Sequence, residues 1–150
     1  GSVPALFRVP VAGGPAVRIP TPGGATSPTW SAARNLIAYL RVRPGQSTVA
    51  LVTPTGEEVK AEAVVTPRFS QGTLAWSADG RSLAGTIDPG TFGASGIWIL
   101  DVDTPRAPSQ LTDLPHGQRP RGVTWLPNGK GLIIGVLERT SDIVLFDQGS

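Results

Sequence analysis

The sequence predicts an all-β chain of short antiparallel strands arranged as a repeat, and three observations carry that prediction. The 150 residues include 19 Gly and 15 Pro, which fall between short apolar runs, the punctuation of tight turns joining strands. Helical readings fail throughout, because no stretch of ten or more residues keeps a 3.6-residue apolar period without a Gly or Pro. The apolar runs also recur with a period of about 45 residues, a length that marks a repeat architecture.

The period is clearest at tryptophan. TWSAARNLIAYL from Thr29, AWSADGRSLAGT from Ala75 and TWLPNGKGLIIG from Thr124 superpose on Trp30, Trp76 and Trp125, which lie 46 and 49 residues apart. Seven positions after each Trp comes Ile37, Leu83 or Leu132. A second motif recurs as LFRVP from Leu6, VALVT from Val49, IWILD from Ile97 and IVLFD from Ile143, and a third as AVRIPTP, EAVVTP and SQLTDLP. Each period therefore holds four strands, a to d, with the Trp on a. The chain order is c-d, then a-b-c-d twice, then a-b-c. A turn of two to five residues joins a to b. In two copies it contains Asp79-Gly80 or Asn128-Gly129, dipeptides that supply positive φ for a tight hairpin. The first copy has Ala33-Arg34 there, so its turn must differ. Strands b and c (LIAYL, GLIIGVL, IWIL) are nearly continuously apolar, as expected of strands covered on both faces.

A four-stranded repeat of this length is the signature of a β-propeller blade. The pattern W-S-x-D-G-[RK]-x-[LI]-[AI], followed by an [IL]-[WYFV]-x-[LVM]-D strand, resembles the WD-like repeats of the TolB family over nearly the whole chain. Trp76 to Arg81 matches best, Trp125 to Lys130 next, and Trp30 to Asn35 most loosely. The Trp-Asp dipeptide and Gly-His pair of eukaryotic WD repeats are missing, which points to the bacterial branch. The resemblance implies a propeller of four-stranded antiparallel blades, a role in protein–protein interaction, and a periplasmic or extracytoplasmic location. Residues 1–150 then form one partial propeller domain, with blade motifs around 30–66, 76–115 and 125–147, the last joined with 5–22. Gly1-Ser2 and Gly149-Ser150 look like cloning scars.

About three blades do not make a ring, since propellers commonly close with about four to eight. Three would leave apolar blade faces exposed, a large patch for a soluble monomer. Either the chain is a piece of a longer propeller, or copies complete one another, the C-terminal a-b-c of one meeting the N-terminal c-d of the next. The expectation is a two-copy ring of six blades, the number typical of the TolB resemblance, with a three-copy ring of nine as the alternative. The c strand occurs at both ends, 6–10 and 143–147, so one is redundant at each junction.

The repeat also decides how individual residues read. Tryptophans bind sugars and cations, but the fixed place of Trp30, Trp76 and Trp125 on strand a argues for packing between blades. Asp79 and Gly80, like Asn128 and Gly129, mark a turn, and Arg81 lies on the same hairpin. Asp101 and Asp103 in ILDVD do not complete a calcium loop; Asp101 and Asp147 share the repeat position closing strand c and read as turn formers.

Catalytic patterns are thin. His116 is the single histidine, Cys is absent, and no nucleophile elbow, HExxH zinc motif or P-loop occurs. No catalytic residue, metal or cofactor is expected. The formal net charge is +2 with no basic run, which gives no nucleic-acid footprint. No apolar stretch approaches the roughly 18 residues of a membrane span, and no signal-peptide pattern is present.

The loops say more. In a propeller the d-a and b-c loops emerge on one face beside the channel. Here they carry Arg43, Arg68, Phe69, Phe92, His116, Arg119, Arg121 and Arg139, offset by Asp88, Glu138 and Asp142. Arginine forks suit carboxylates or phosphates, and repetition around a ring would focus positive potential. The sequence thus reads as a non-catalytic binding or scaffold module that pairs with itself and with another protein or an acidic ligand. Alternatives are the gating propeller of a larger peptidase, the sensor region of a bacterial kinase or regulator, and an excised or engineered partial propeller with no activity of its own.

Overall fold

Strands form where apolar runs alternate with Gly, Pro and Asx turns. The computed structural model describes residues 1–44, 46–59, 65–66, 73–87, 95–104 and 108–138, and no helix occurs among them. An antiparallel pair comes first, β1 (Leu6–Arg8) with β2 (Val17–Ile19), in register Leu6 to Ile19. The first full blade follows as β3 (Gly24–Ser31), β4 (Leu36–Arg43), β5 (Gln46–Val52) and β6 (Glu58–Val59), in that spatial order, with β7 (Val65–Thr66) also on β5. The second full blade is β8 (Leu74–Trp76), β9 (Ser82–Ile87), β10 (Gly96–Asp101) and β11 (Ser109–Asp113). A C-terminal pair, β12 (Gln118–Trp125) and β13 (Leu132–Glu138), ends the described chain. All pairings are antiparallel. The order c-d, a-b-c-d, a-b-c-d, a-b matches the expected repeat. The second c segment, 143–147, lies outside the described residues.

The a-b turns are longer than an Asx-Gly dipeptide suggests. Ser77 N donates to Ser82 O (2.8 Å) and Gly80 N to Ser77 O (3.0 Å), so four residues, 78–81, link the strands around a tight turn. Gly80 alone adopts positive φ, +71°, and Gly129 does the same at +70°. Asp79 and Asn128 act through their side chains, Asp79 Oδ1 accepting from Arg81 N (3.0 Å) and Asn128 Oδ1 from Lys130 N (2.9 Å). The first copy keeps the loop length but moves the left-handed residue one place on, to Asn35 at +52°. Asparagine is the side chain that tolerates that region best after glycine.

In the two full blades the apolar runs of b and c are buried on both faces because blades stack. Ala38, Leu40, Val49 and Leu51 of the first blade form one core with Leu74, Trp76, Leu83, Trp98 and Leu100 of the second. Leu6 and Ile19 of the N-terminal pair form another with Ala25, Tyr39, Ala50 and Val52. Alternate residues of β4 thus serve two different interfaces, the period-two geometry of a strand. The a strands adjoin one another, β8 touching both β3 and β12, so they form the inner edge of the array.

Tryptophan ties neighbouring blades together. Trp76 is buried and its Nε1 donates to Thr29 O (3.2 Å); Trp125 Nε1 donates to Ala75 O (3.0 Å). Trp30 departs from the expectation of inter-blade packing: it is 49% exposed, because the strand pair before it contributes only c and d and places no a strand beneath the indole.

Candidate functional site

The face carrying the expected loop arginines is built at the ends of β4, β12 and β13. Arg43 closes β4 opposite Gln46 and is exposed. His116 is exposed in a tight turn closed by Gln118 N to Pro115 O (3.0 Å), with Gly117 at φ +88°. Arg119 and Arg121 do not sit in a loop as expected but within β12. The ladder pairs Arg119 with Leu137 and Pro120 with Val136, then resumes at Gly122 with Gly135. Arg121 is therefore the extra residue of a bulge, a device that re-aims a side chain and increases local twist. Arg121 is exposed and Arg119 half-buried. β3 has a bulge at the same end, where its register shifts between Thr26 and Thr29 and Ser27 takes φ +54°.

His116, Arg119, Arg121 and Glu138 thus share one end of the C-terminal pair, and Arg43 occupies the corresponding end two blades earlier. Glu138 is engaged by Gln118, whose Nε2 donates to its Oε1 (2.9 Å). His116 makes no hydrogen bond with a serine or carboxylate among the described residues. Arg68, Phe69, Phe92, Arg139, Asp88 and Asp142 lie outside the described residues. No group of three His, Cys, Asp or Glu among the described residues could hold a metal ion, and no described helix is long and apolar enough to cross a membrane.

Two polar clusters were missed from sequence. Arg41, buried on β4, donates to Tyr39 OH (3.1 Å) and pairs with Glu58 on β6, its guanidinium 5.9 Å from the Tyr39 ring centre. Burial alone would lower its pKa, but the bonds to Glu58 and Tyr39 outweigh that and raise it. A signal was present: Arg41 stands eleven residues after its Trp, where the other copies have Ile87 and Val136. On the opposite face Arg34 of the first a-b turn reaches Asp103 of the second blade (2.5 Å). That bond raises the Arg34 pKa and holds the Asp103 carboxyl below its ordinary value.

The turn carboxylates behave as the repeat predicts. Asp79 Oδ1 accepts from Ser77 Oγ (2.6 Å) and from Arg81 N, and these bonds lower its pKa. Asp101 accepts from Asp103 N and Thr104 Oγ1, both at 3.0 Å. These groups are occupied in holding turns.

No protein-family model and no curated protein matches the chain. Solved structures do. A TolB structure from Agrobacterium tumefaciens superposes with a TM-score of 0.65 at 21% identity, covering 89% of this chain and 47% of that one. A prolyl endopeptidase superposes with a TM-score of 0.58 at 20% identity, covering 79% of this chain and 18% of that one. The chain therefore has the fold of a TolB-like β-propeller and spans about half the length of the TolB structure it resembles.

Proposed function

We propose that this chain, with its TolB-like propeller fold, is a non-catalytic binding module that associates with itself to close a ring. The observation that carries the reading is apolar side chains left exposed on blade faces of the kind that are covered between stacked blades. Among the described residues Trp30, Ile133 and Leu137 are exposed, whereas the matching faces between the two full blades are buried. Apolar surface of this kind, at blade faces that are covered elsewhere in the chain, favours association. Two copies would supply six blades.

The ring's arginine-bearing face would then recognise an acidic partner. Arg43, His116, Arg119 and Arg121 recur with each copy, and guanidinium forks match carboxylates in two-point geometry. Native mass spectrometry at micromolar concentration tests ring closure: a dominant two-copy species is expected, and a monomer would remove the idea. Titration with a fluorescent polyglutamate peptide tests the acidic partner. Arg119→Ala/Arg121→Ala is expected to weaken binding at least fivefold; unchanged affinity would exclude these arginines.

A second reading has one observation in its favour, the likeness to a prolyl endopeptidase: the chain would be the accessory propeller of a larger peptidase, gating a separate catalytic domain. A hydrolase domain encoded next to these residues in the native gene would favour it.

A further inference from the structure

The last two a-b turns need two things at once. An acceptor side chain must reach the backbone two places on, and the residue between must take a left-handed φ. Between β12 and β13 those residues are Asn128, whose Oδ1 accepts from Lys130 N (2.9 Å), and Gly129 at φ +70°. The turn thus sets a side-chain amide directly before the one residue type with no side chain to shield its backbone nitrogen. Asn128, Gly129 and Lys130 are all exposed, and a Cβ at Gly129 would meet nothing within 4 Å. The pair is held by the bond to Lys130 and by Gly129 N donating to Leu126 O (2.9 Å).

Neither sister turn combines these features. The middle turn has Asp79, whose bonds from Ser77 Oγ and Arg81 N favour the ionised carboxylate, and an anion resists attack by a nucleophile. Its Gly80 is buried, with Arg34 Cγ and Ser31 Oγ standing where a Cβ would go. The first turn has Asn35, the only other asparagine in the chain. Leu36 follows it, begins β4 opposite Ser31, and packs its side chain against the core between the two full blades. A branched, packed side chain hinders the approach of that nitrogen to the Asn35 amide.

We propose that Asn128-Gly129 is a site of spontaneous covalent modification, at which the folded chain loses ammonia and acquires aspartate or isoaspartate. When the turn opens, Gly129 N attacks Asn128 Cγ. The new N–Cγ bond closes a cyclic imide, the Cγ–Nδ2 bond breaks, and the Gly129 amide proton leaves with the departing ammonia. Water then adds to either imide carbonyl, with no change of oxidation state. Breaking the ring N–Cγ bond gives aspartate; breaking the bond from that nitrogen to the Asn128 main-chain carbonyl carbon gives isoaspartate. The aspartate product reproduces Asp79-Gly80, a pair the fold already holds with its glycine at φ +71°. The turn then persists, with a formal net charge one unit below +2. Isoaspartate routes the main chain through Cγ and so adds a carbon between Leu126 and Gly131. Leu126 N donates to Gly131 O (2.8 Å) beside the Trp125–Leu132 pair, and the longer link loosens that end of the hairpin.

Peptide mapping by mass spectrometry, on the folded chain incubated in mildly alkaline buffer, tests the site. The mass gain of an amide-to-acid change is expected at Asn128 and not at Asn35. A protease that cuts before aspartate but not before isoaspartate separates the two products. Conversion in the folded chain is expected to be about ten- to a hundredfold slower than in urea, reflecting the hydrogen bonds that must open. Asn128→Asp is expected to keep the parent's far-UV circular dichroism and urea midpoint, whereas material converted to isoaspartate unfolds at lower urea. A folded chain that stays intact at Asn128 while the chain in urea converts overturns the proposal. So does equal conversion at Asn35 in the folded chain, or an Asn128→Asp variant that loses the parent's midpoint.

Discussion

Gly80 and Gly129 occupy the same place in two turns at nearly the same φ, yet they are not equivalent. A Cβ at Gly80 would come within 2.7 Å of Arg34 Cγ and 2.9 Å of Ser31 Oγ, whereas one at Gly129 meets nothing within 4 Å. Gly129→Ala therefore isolates the left-handed backbone cost, about 1–2 kcal/mol, and Gly80→Ala is expected to cost more because the neighbouring blade must also move. Urea denaturation of the two variants checks the order; equal losses would mean that Arg34 yields freely. Asp103 gives a pH prediction. The Arg34 hydrogen bond holds its folded-state pKa below the ordinary value, so the folded state favours the carboxylate. The resulting stability is fully present above the unfolded value, about pH 4, and is lost as pH falls through the folded value. Asp103→Asn is expected to be less stable than the parent at pH 6 and to converge with it towards pH 2, followed by denaturation midpoints across that range. The turn roles of Asp79 and Asp101 were legible because each carboxylate bonds within two or three residues of itself. The Arg34–Asp103 pair was not, since 69 residues separate its partners.

Strands of similar sequence have different fates in different blades. LIAYL and GLIIGVL look equally fit for two-sided burial, yet β4 is packed on both sides and β13 on one. Leu83→Ala, in a fully buried site, is expected to cost about 2–5 kcal/mol. Ile133→Ala, measured in dilute solution where copies are apart, should stay within about 0.5 kcal/mol. Trp76→Phe removes the donor to Thr29 and is expected to cost about 1 kcal/mol beyond the lost ring area, while Trp30→Phe leaves the dilute chain's stability unchanged. Chemical denaturation at submicromolar concentration separates the four. A large loss at Ile133 or Trp30 in the dilute chain would mean that those faces are already covered within one copy. Strand order was readable from the repeat; the bulge that draws Arg119 and Arg121 into β12 was not, because the Pro and Gly of QRPRG look like loop punctuation.

Across the molecule, the formal charge of +2 conceals an uneven distribution, with Arg43, Arg119 and Arg121 gathered towards one end of the blades. If those arginines bind an acidic partner, affinity for the polyglutamate probe should fall steeply from 50 to 300 mM salt, as the screening length shrinks below about 10 Å. A salt-independent affinity would point to apolar contacts instead. The probe should also bind the assembled ring more tightly than the same chain diluted to a monomer, since the ring presents each arginine once per copy. Comparing the two by fluorescence anisotropy distinguishes a ring-borne site from one carried by a single chain.

The residue pattern was enough to set the all-β class, the four-strand period, the order of strands and the turn chemistry. Each of these depends on neighbours within a few residues, or on an alternation that any copy of the repeat shows alone. Burial could not be read in that way. Trp30, Trp76 and Trp125 carry the same motif, but whether an indole is covered depends on the strand stacked against it, which lies about a repeat away. The same holds for Arg41, whose charge is tolerated in an apolar strand only because Tyr39 and Glu58 converge on it from a neighbouring position and another strand. Local chemistry specifies a blade, and only packing between blades determines which of its surfaces are left to bind something else.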